Sequence, residues 1–421
     1  MKKKITSFTE SFERFGCIKH IAVLLTVLIH SFTFGQTWMQ LSNIGASVTG
    51  PSSSSPPVKE AVSLSLNGKI YVIGNQTFTG NITSAMIWEY TSSTDSWTEK
   101  SSYPGNGASF LCGFSIGNFI YVGCGGSGST NINADFYRYN PASNTWTPIS
   151  NIPAARANAS AFSIGGKGYV TCGMGMGGDL NDLWEYDPTS DNWSQKTNFP
   201  GAGRFLASAF ASAGFGFAGL GFSSASSTWN SDFYKYNPGS DTWAATTAFP
   251  GQGRSGAGVV VLGNQAIVIC GNMGMTVFND CYHYDVSYDS WSAFPSYGGV
   301  ARSYVICGNI ANKIFAGGGS GAGAIAPFND WWTVETTVGI KRNTLEQGRT
   351  YIFRNAANET ILRTQVKEIH GTKYTVYDQQ GKAISFGIIA ESDTKIRIES
   401  FGAYVIVFES DKISPIKFIN Y

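Results

Sequence analysis

Five times along this chain an aromatic-rich stretch ends on a tryptophan after nearly the same number of residues. Trp97, Trp146, Trp193, Trp243 and Trp291 follow one another at intervals of 49, 47, 50 and 48. Four of them close variants of one segment: DFYRYNPASNTW at 135–146, DLWEYDPTSDNW at 182–193, DFYKYNPGSDTW at 232–243 and DCYHYDVSYDSW at 280–291. A period near 50 restricts the fold to stacked units, a propeller or a solenoid, because one such unit cannot bury both of its faces alone.

Every period divides the same way. In the third, ANASAFSI alternates small and apolar residues, GGK turns, GYVTCG is an apolar run, and a Gly-rich loop follows; DLWEYD alternates again, PTSDN turns and WSQK closes. Alternation with period two, bounded by turn residues, predicts four strands in an antiparallel meander. The first turn recurs as NGK, GNF, GGK, GNQ and ANK, dipeptides that reach positive φ cheaply. The 50 glycines among 421 residues, without a collagen period, fit a chain of many tight turns. First strands begin near residues 59, 108, 157, 205, 255 and 303, which makes six units. The sixth has a third strand at Asp330-Trp331-Trp332 but no fourth, while Trp38 stands alone near the other end. The expected fold is all-β: a six-bladed β-propeller over 36–337, closed by an N-terminal strand, which removes exposed sheet edges.

These units resemble kelch repeats, whose pattern is an Arg after a Pro, an apolar strand ending in Gly-Gly, an aromatic-rich strand, a turn and a Trp. PAAR at 153–156, PGAGR at 200–204, PGQGR at 250–254 and VAR at 300–302 supply the Arg. The double Gly survives in CGG at 124–126 and AGGG at 316–319 and is lost elsewhere, and Val58 and Ala108 stand where the first two units should carry Arg. The resemblance implies the propeller fold. It leaves the function open, since kelch propellers serve as protein-binding modules, oxidases and sugar epimerases.

At the N-terminus, Lys2, Lys3, Lys4 and Lys19 precede IAVLLTVLI at 21–29 and a small residue at Gly35. A basic region, a short apolar core and a small residue predict a secretory leader over 1–35, too short to span a membrane. Export leaves Cys112, Cys124, Cys172, Cys270, Cys281 and Cys307. They form no CxxC pair and are expected as buried thiols, with Cys270 and Cys281 the favoured pair if a disulfide forms. Cys124, Cys172 and Cys270 precede a Gly in matching apolar runs and read as small strand hydrophobes.

Beyond about 340 the period stops, and 338–421 reads as a small β-sandwich. It resembles the C-terminal sorting domain of type IX secretion cargo: Phe353-Arg354-Asn355-Ala356 as a degraded start, Tyr377-Asp378 through Gly381-Lys382 as strand and turn, and Gly402-Ala403-Tyr404 as the late strand. Both prolines of the family's start are missing. The resemblance implies the type IX machinery as a partner and a secreted or outer-membrane-surface location in a Gram-negative bacterium.

The formal charge of +1 gives no electrostatic case for nucleic acid. Of the four histidines, only His283 falls in the propeller, so no His-based triad or His-rich metal centre can be assembled there. No phosphate loop with its Lys-Ser/Thr is present. No cofactor or metal is therefore expected. Two roles fit Arg156, Arg204, Arg254 and Arg302. They can ring the channel mouth and hold a ligand carboxylate, or hydrogen-bond neighbouring loops and tie the blades together. Trp229 lies in the loop between the second and third strands of blade 4, where it can stack on a sugar or peptide or lie over its own loop. The expected function is a non-catalytic binding module recognising a glycan or a surface protein through the Arg-lined face. The alternative is a metal-independent sugar epimerase or mutarotase of the sialic-acid epimerase type, with Glu60 or Glu185 moving protons.

Overall fold

The computed structural model describes residues 37–335, apart from 46–57, 75–84, 107–108, 127–130 and 323–326, together with the strands between 350 and 420 and short turns beside them. The expected leader over 1–35 and the sorting-signature residues 355–356, 378 and 381 lie outside the described residues. Two compact units result, one over Gln36–Glu335 and one holding the strands beyond 350.

The first unit is a six-bladed propeller. Five blades run in chain order as four antiparallel strands, blade 3 for example as Ser160–Ile164, Lys167–Thr171, Leu183–Asp187 and Asn192–Lys196. The sixth takes Ile306–Ile310, Lys313–Gly317 and Trp331–Glu335 from one end of the ring and Met39–Leu41 from the other, with Gln40 opposite Trp332. Each blade's first strand touches the first strand of the next, and the sixth touches the first, so the six surround a central axis. The second strands are apolar runs with both faces covered: Ile70, Val72 and Ile73 in blade 1 and Ala266 to Ile269 in blade 5 are buried.

The tryptophan-closed segment staples blade to blade. The indole Nε1 of Trp97, Trp146, Trp193, Trp243 and Trp291 donates to a carbonyl of the preceding blade, that of Ser42, Ser101, Ser150, Thr197 and Thr247 respectively. Two residues earlier, Asp95, Asn144, Asp191, Asp241 and Asp289 take positive φ, which Asp and Asn tolerate. Each accepts both a tyrosine hydroxyl of its own blade and a backbone N–H of the preceding one, as Asp191 does from Tyr186 and Ser150.

All six cysteines among the described residues are free and buried. Cys124, Cys172 and Cys270, expected inside strands, instead stand one residue past the second strand with φ near 60°. There the chain leaves the sheet, and burial pushes the Cys172 thiol up to about 11.

The second unit packs a sheet of Thr350–Arg354, Thr360–Thr364 and Asp393–Ile396 and a second of Ala383–Ile388, Lys373–Tyr377, Gly402–Phe408 and Ile416–Asn420. Leu362, Val376, Ile396 and Ile406 are buried in it. Among the described residues no helix is long and apolar enough to cross a membrane.

Candidate functional site

In this meander the link from a fourth strand to the next first strand and the link from second to third strand meet on one face. Backbone bonds join them: Arg156 N donates to Asn133 O, and Gly173 N to Arg204 O. The four arginines sit in these links, four residues before the first strand of their blade, and all four are fully buried.

Each guanidinium is engaged within its own blade. Arg156 Nη1 and Nη2 lie 2.6 and 2.7 Å from the two oxygens of Asp182. Nη1 also donates to Cys172 O, and Nε to Ala154 O, both at 3.0 Å. Arg204 with Asp232, Arg254 with Asp280 and Arg302 with Asp330 repeat the fork, the carbonyl and the Nε bond. Aromatic rings cover the charge. Arg254 lies 4.8 Å from the Phe249 ring centre and 4.2 Å from that of Phe278, and Arg302 stands 4.7 and 4.3 Å from Tyr297 and Phe328. The fork expected to hold a ligand carboxylate thus holds the aspartate that opens the third strand. These bonds tie the link before each first strand to the second and third strands of the same blade, rather than one blade to the next as the sequence reading expects.

Two residues after each arginine position, the six blades do something in common. Glu60, Phe110, Asn158, Leu206, Gly256 and Tyr304 each stand two residues before a first strand, all with φ between 50° and 62°. Their backbones link in sequence around the axis. Phe110 N donates to Glu60 O at 2.8 Å, Asn158 N to Phe110 O at 3.1 Å, Leu206 N to Asn158 O at 3.0 Å, Gly256 N to Leu206 O at 3.1 Å and Tyr304 N to Gly256 O at 2.8 Å. Positive φ is unremarkable for Gly256 and Asn158. For Phe110, Leu206 and Tyr304 it is strained and persists only where the surroundings enforce it. The backbone is the same in every blade, yet the side chains differ throughout: carboxylate, phenyl, amide, isobutyl, none, phenol. Glu60 and Tyr304 are neighbours in blades 1 and 6, and burial followed by the Glu60 charge raises the Tyr304 phenol above its ordinary value. Lys59 is 3.0 Å from Glu60. The sequence singles out Glu60 as a possible proton carrier and does not single out the other five; their signal is a fixed repeat position whose residue type never recurs.

The family model described as the KLHDC2/KLHL20/DRC7 Kelch-repeats domain matches residues 59–271, just over half of the chain. The chain belongs to the kelch-repeat family. No curated protein matches it. Among solved structures, one titled "Structure of YjhT" superimposes with a TM-score of 0.56 at 17% identity, over 70% of this chain and 99% of that one. That likeness shows the fold alone.

Within this kelch propeller, Trp229 belongs to a short hairpin, Phe222–Ser223 with Thr228–Trp229. Its ring lies on Phe222 with centroids 4.5 Å apart, and Phe222 in turn meets Phe205 at 5.6 Å. Its far edge faces blade 5, where a β-carbon added at Gly274 would lie 3.6 Å from Cη2. Trp229 therefore covers its own hairpin, with its far edge near the next, while Met176 and Met275 at neighbouring tips are about three-quarters exposed. Glu185 accepts from the Tyr169 hydroxyl and pairs with Lys196, and Glu89 repeats this with Tyr71 and Lys100, so this acid belongs to the repeat's scaffold. His283 bonds Ser292 Oγ through Nδ1, and burial lowers its pKa.

The two blades without the arginine differ. Blade 1 has replaced both partners: Val58 stands at the Arg position and Met86 at the Asp position, and both pack in one apolar cluster. Blade 2 has lost only the arginine, to Ala108, which lies outside the described residues, and keeps Asp135. Asp135 Oδ2 accepts from Asn106 N, but Oδ1 is buried without a partner, and burial raises the carboxyl above its usual range. A carboxyl raised in the folded state adds stability only when protonated. That contribution is complete below the unfolded value of about 3.9 and is lost as pH climbs through the raised folded value. Asp135→Asn is expected to leave Tm unchanged or higher at pH 7 and to gain little at pH 4, whereas Asp182→Asn lowers Tm at pH 7; melting curves at the two pH values check both.

Proposed function

We propose that this protein is an exported binding module that takes a glycan at the mouth of its propeller channel. The carrying observation is the ring of Glu60, Phe110, Asn158, Leu206, Gly256 and Tyr304, where one positive-φ backbone recurs in six blades while the residue type changes each time. The strain held at Phe110, Leu206 and Tyr304 supports a functional surface here, because such outliers cluster at binding sites. Two aromatic rings, a carboxylate, an amide and a bare glycine around one axis suit a sugar, which needs an apolar platform for its CH face and polar groups for its hydroxyls. The C-terminal unit serves as a type IX sorting domain, which puts the module at the outer surface of a Gram-negative cell or beyond it. A glycan array on the full chain tests the ligand class. Binding to sugars supports the reading, while an empty array with capture of a surface protein at the same face replaces the glycan by that protein.

One observation favours an enzyme as the second reading: Glu60 and Tyr304, an acid and a phenol, adjoin on the ring. A metal-independent sugar mutarotase would need such a proton-carrying pair. Proton NMR of sialic-acid anomer exchange decides it, since an exchange rate unaltered by the protein removes the enzymatic reading.

A further inference from the structure

The links that form the face around the channel mouth hold few charges. Between fourth and first strands and between second and third strands, the cations are Lys59, Arg156, Arg204, Arg254 and Arg302. The acids are Glu60, Asp135, Asp179, Asp182, Asp232, Asp280 and Asp330, and no histidine falls in these links. The stretches of them that lie outside the described residues, 46–57, 75–84, 107–108, 127–130 and 323–326, contain no Lys, Arg, Asp or Glu and so add nothing to this inventory.

Every one of these cations already has a carboxylate. Arg156, Arg204, Arg254 and Arg302 are fully buried and forked onto Asp182, Asp232, Asp280 and Asp330. Lys59 lies 3.0 Å from Glu60. Two acids are left without a cation and are held by neutral donors instead. Asp179 accepts from Ser224 N at 2.6 Å and from its Oγ at 3.3 Å, and Asp135 accepts from Asn106 N at 3.0 Å. The remainder of the links is glycine, hydroxyl, amide and apolar residues, as in NQTFTGNITS at 75–84 and SSASSTW at 223–229. A ligand carboxylate, sulfate or phosphate would leave water here without gaining a counter-charge, on a face whose unbalanced charges are already negative. Sugar hydroxyls need no counter-charge, because neutral donors and acceptors satisfy them.

We infer that the glycan taken at the channel mouth is uncharged, and that sialylated, uronate-bearing, sulfated and phosphorylated sugars are rejected because every cation of these links is already paired. The inference rests on the glycan reading above, and it weighs against a sialic-acid substrate at the same mouth.

The test is a printed array of neutral, sialylated, uronate-bearing and sulfated glycans probed with the full chain. Calorimetric titration then compares the best-bound glycan with its charged or uncharged counterpart at low and high sodium chloride. The neutral member is expected to bind at least about tenfold more tightly than the anionic one, and its Kd to change less than about twofold with salt, because no ion pair forms. Glu60→Gln removes a carboxylate from the mouth and releases Lys59, so it should narrow that preference by about threefold or more. An unchanged preference in Glu60→Gln overturns the inference, since the charges at the mouth then do not set it. Tighter binding of the anionic member, weakened by salt and lost in Phe110→Asn with Tyr304→Asn, overturns it while leaving the glycan site at the mouth standing. An array on which no glycan binds overturns the glycan reading and this inference with it.

Discussion

Arg254→Ala is expected to lower Tm by on the order of 10 °C, and Arg204→Ala and Arg302→Ala to do the same. The substitution leaves Asp280 with its fork and the Cys270 carbonyl with its donor removed, and breaking one side of a buried pair costs about 3–5 kcal/mol. The attraction itself is not what is lost, since a buried pair recovers little more than its own desolvation. The cost is the uncompensated remainder, and blade 1 shows how it is avoided: Val58 and Met86 replace both partners with apolar groups. Arg254→Val combined with Asp280→Met should therefore recover much of the loss of either single change, in a double-mutant cycle read by thermal or urea denaturation. Single variants that melt like wild type would return the arginines to a ligand-binding role.

Trp38→Ala is the second large effect. Trp38 is 6% exposed, meets Tyr297 edge-on at 5.1 Å and donates from Nε1 to Pro295 O at 3.3 Å. Its strand contributes only three residues to the sheet, Met39–Leu41 against Thr333, Trp332 and Trp331. The side chain thus anchors the strand that joins the two ends of the ring. Removing a buried indole costs about 3–5 kcal/mol, and here it also frees the edge at Trp331–Glu335, so lowered stability should come with aggregation or association of open rings. Tm and light scattering measure the two. A stable, monodisperse Trp38→Ala would show that the ring does not depend on this anchor.

Much of this was legible because repetition exposes what a blade requires. The tryptophan spacing predicted the blades, and the incomplete sixth repeat beside a solitary Trp38 predicted the closure. The arginine position was legible too, but not its partner. Arg156 and Asp182 lie 26 residues apart, and only the register of the second and third strands brings them together. Asp182 itself looked like a strand-opening residue. The mouth ring was hidden for the opposite reason: a search for shared residues passes over a position where Glu, Phe, Asn, Leu, Gly and Tyr follow one another. Its common feature is a backbone angle, which for Phe110, Leu206 and Tyr304 no local propensity announces. Trp229 drew attention as an aromatic outside the repeat, and its pairing with Phe222 across a short hairpin needed the register.

The ring is tested most directly by calorimetric titration of whichever glycan the array identifies. The comparison sets wild type against a variant carrying Glu60→Gln, Phe110→Asn and Tyr304→Asn. Asn tolerates positive φ, so the backbone of the ring survives the change. The variant is expected to melt within a few degrees of wild type and to bind at least tenfold more weakly, while Trp229→Ala binds normally. Wild-type affinity in the folded ring variant would contradict the assignment and move the site away from the channel mouth.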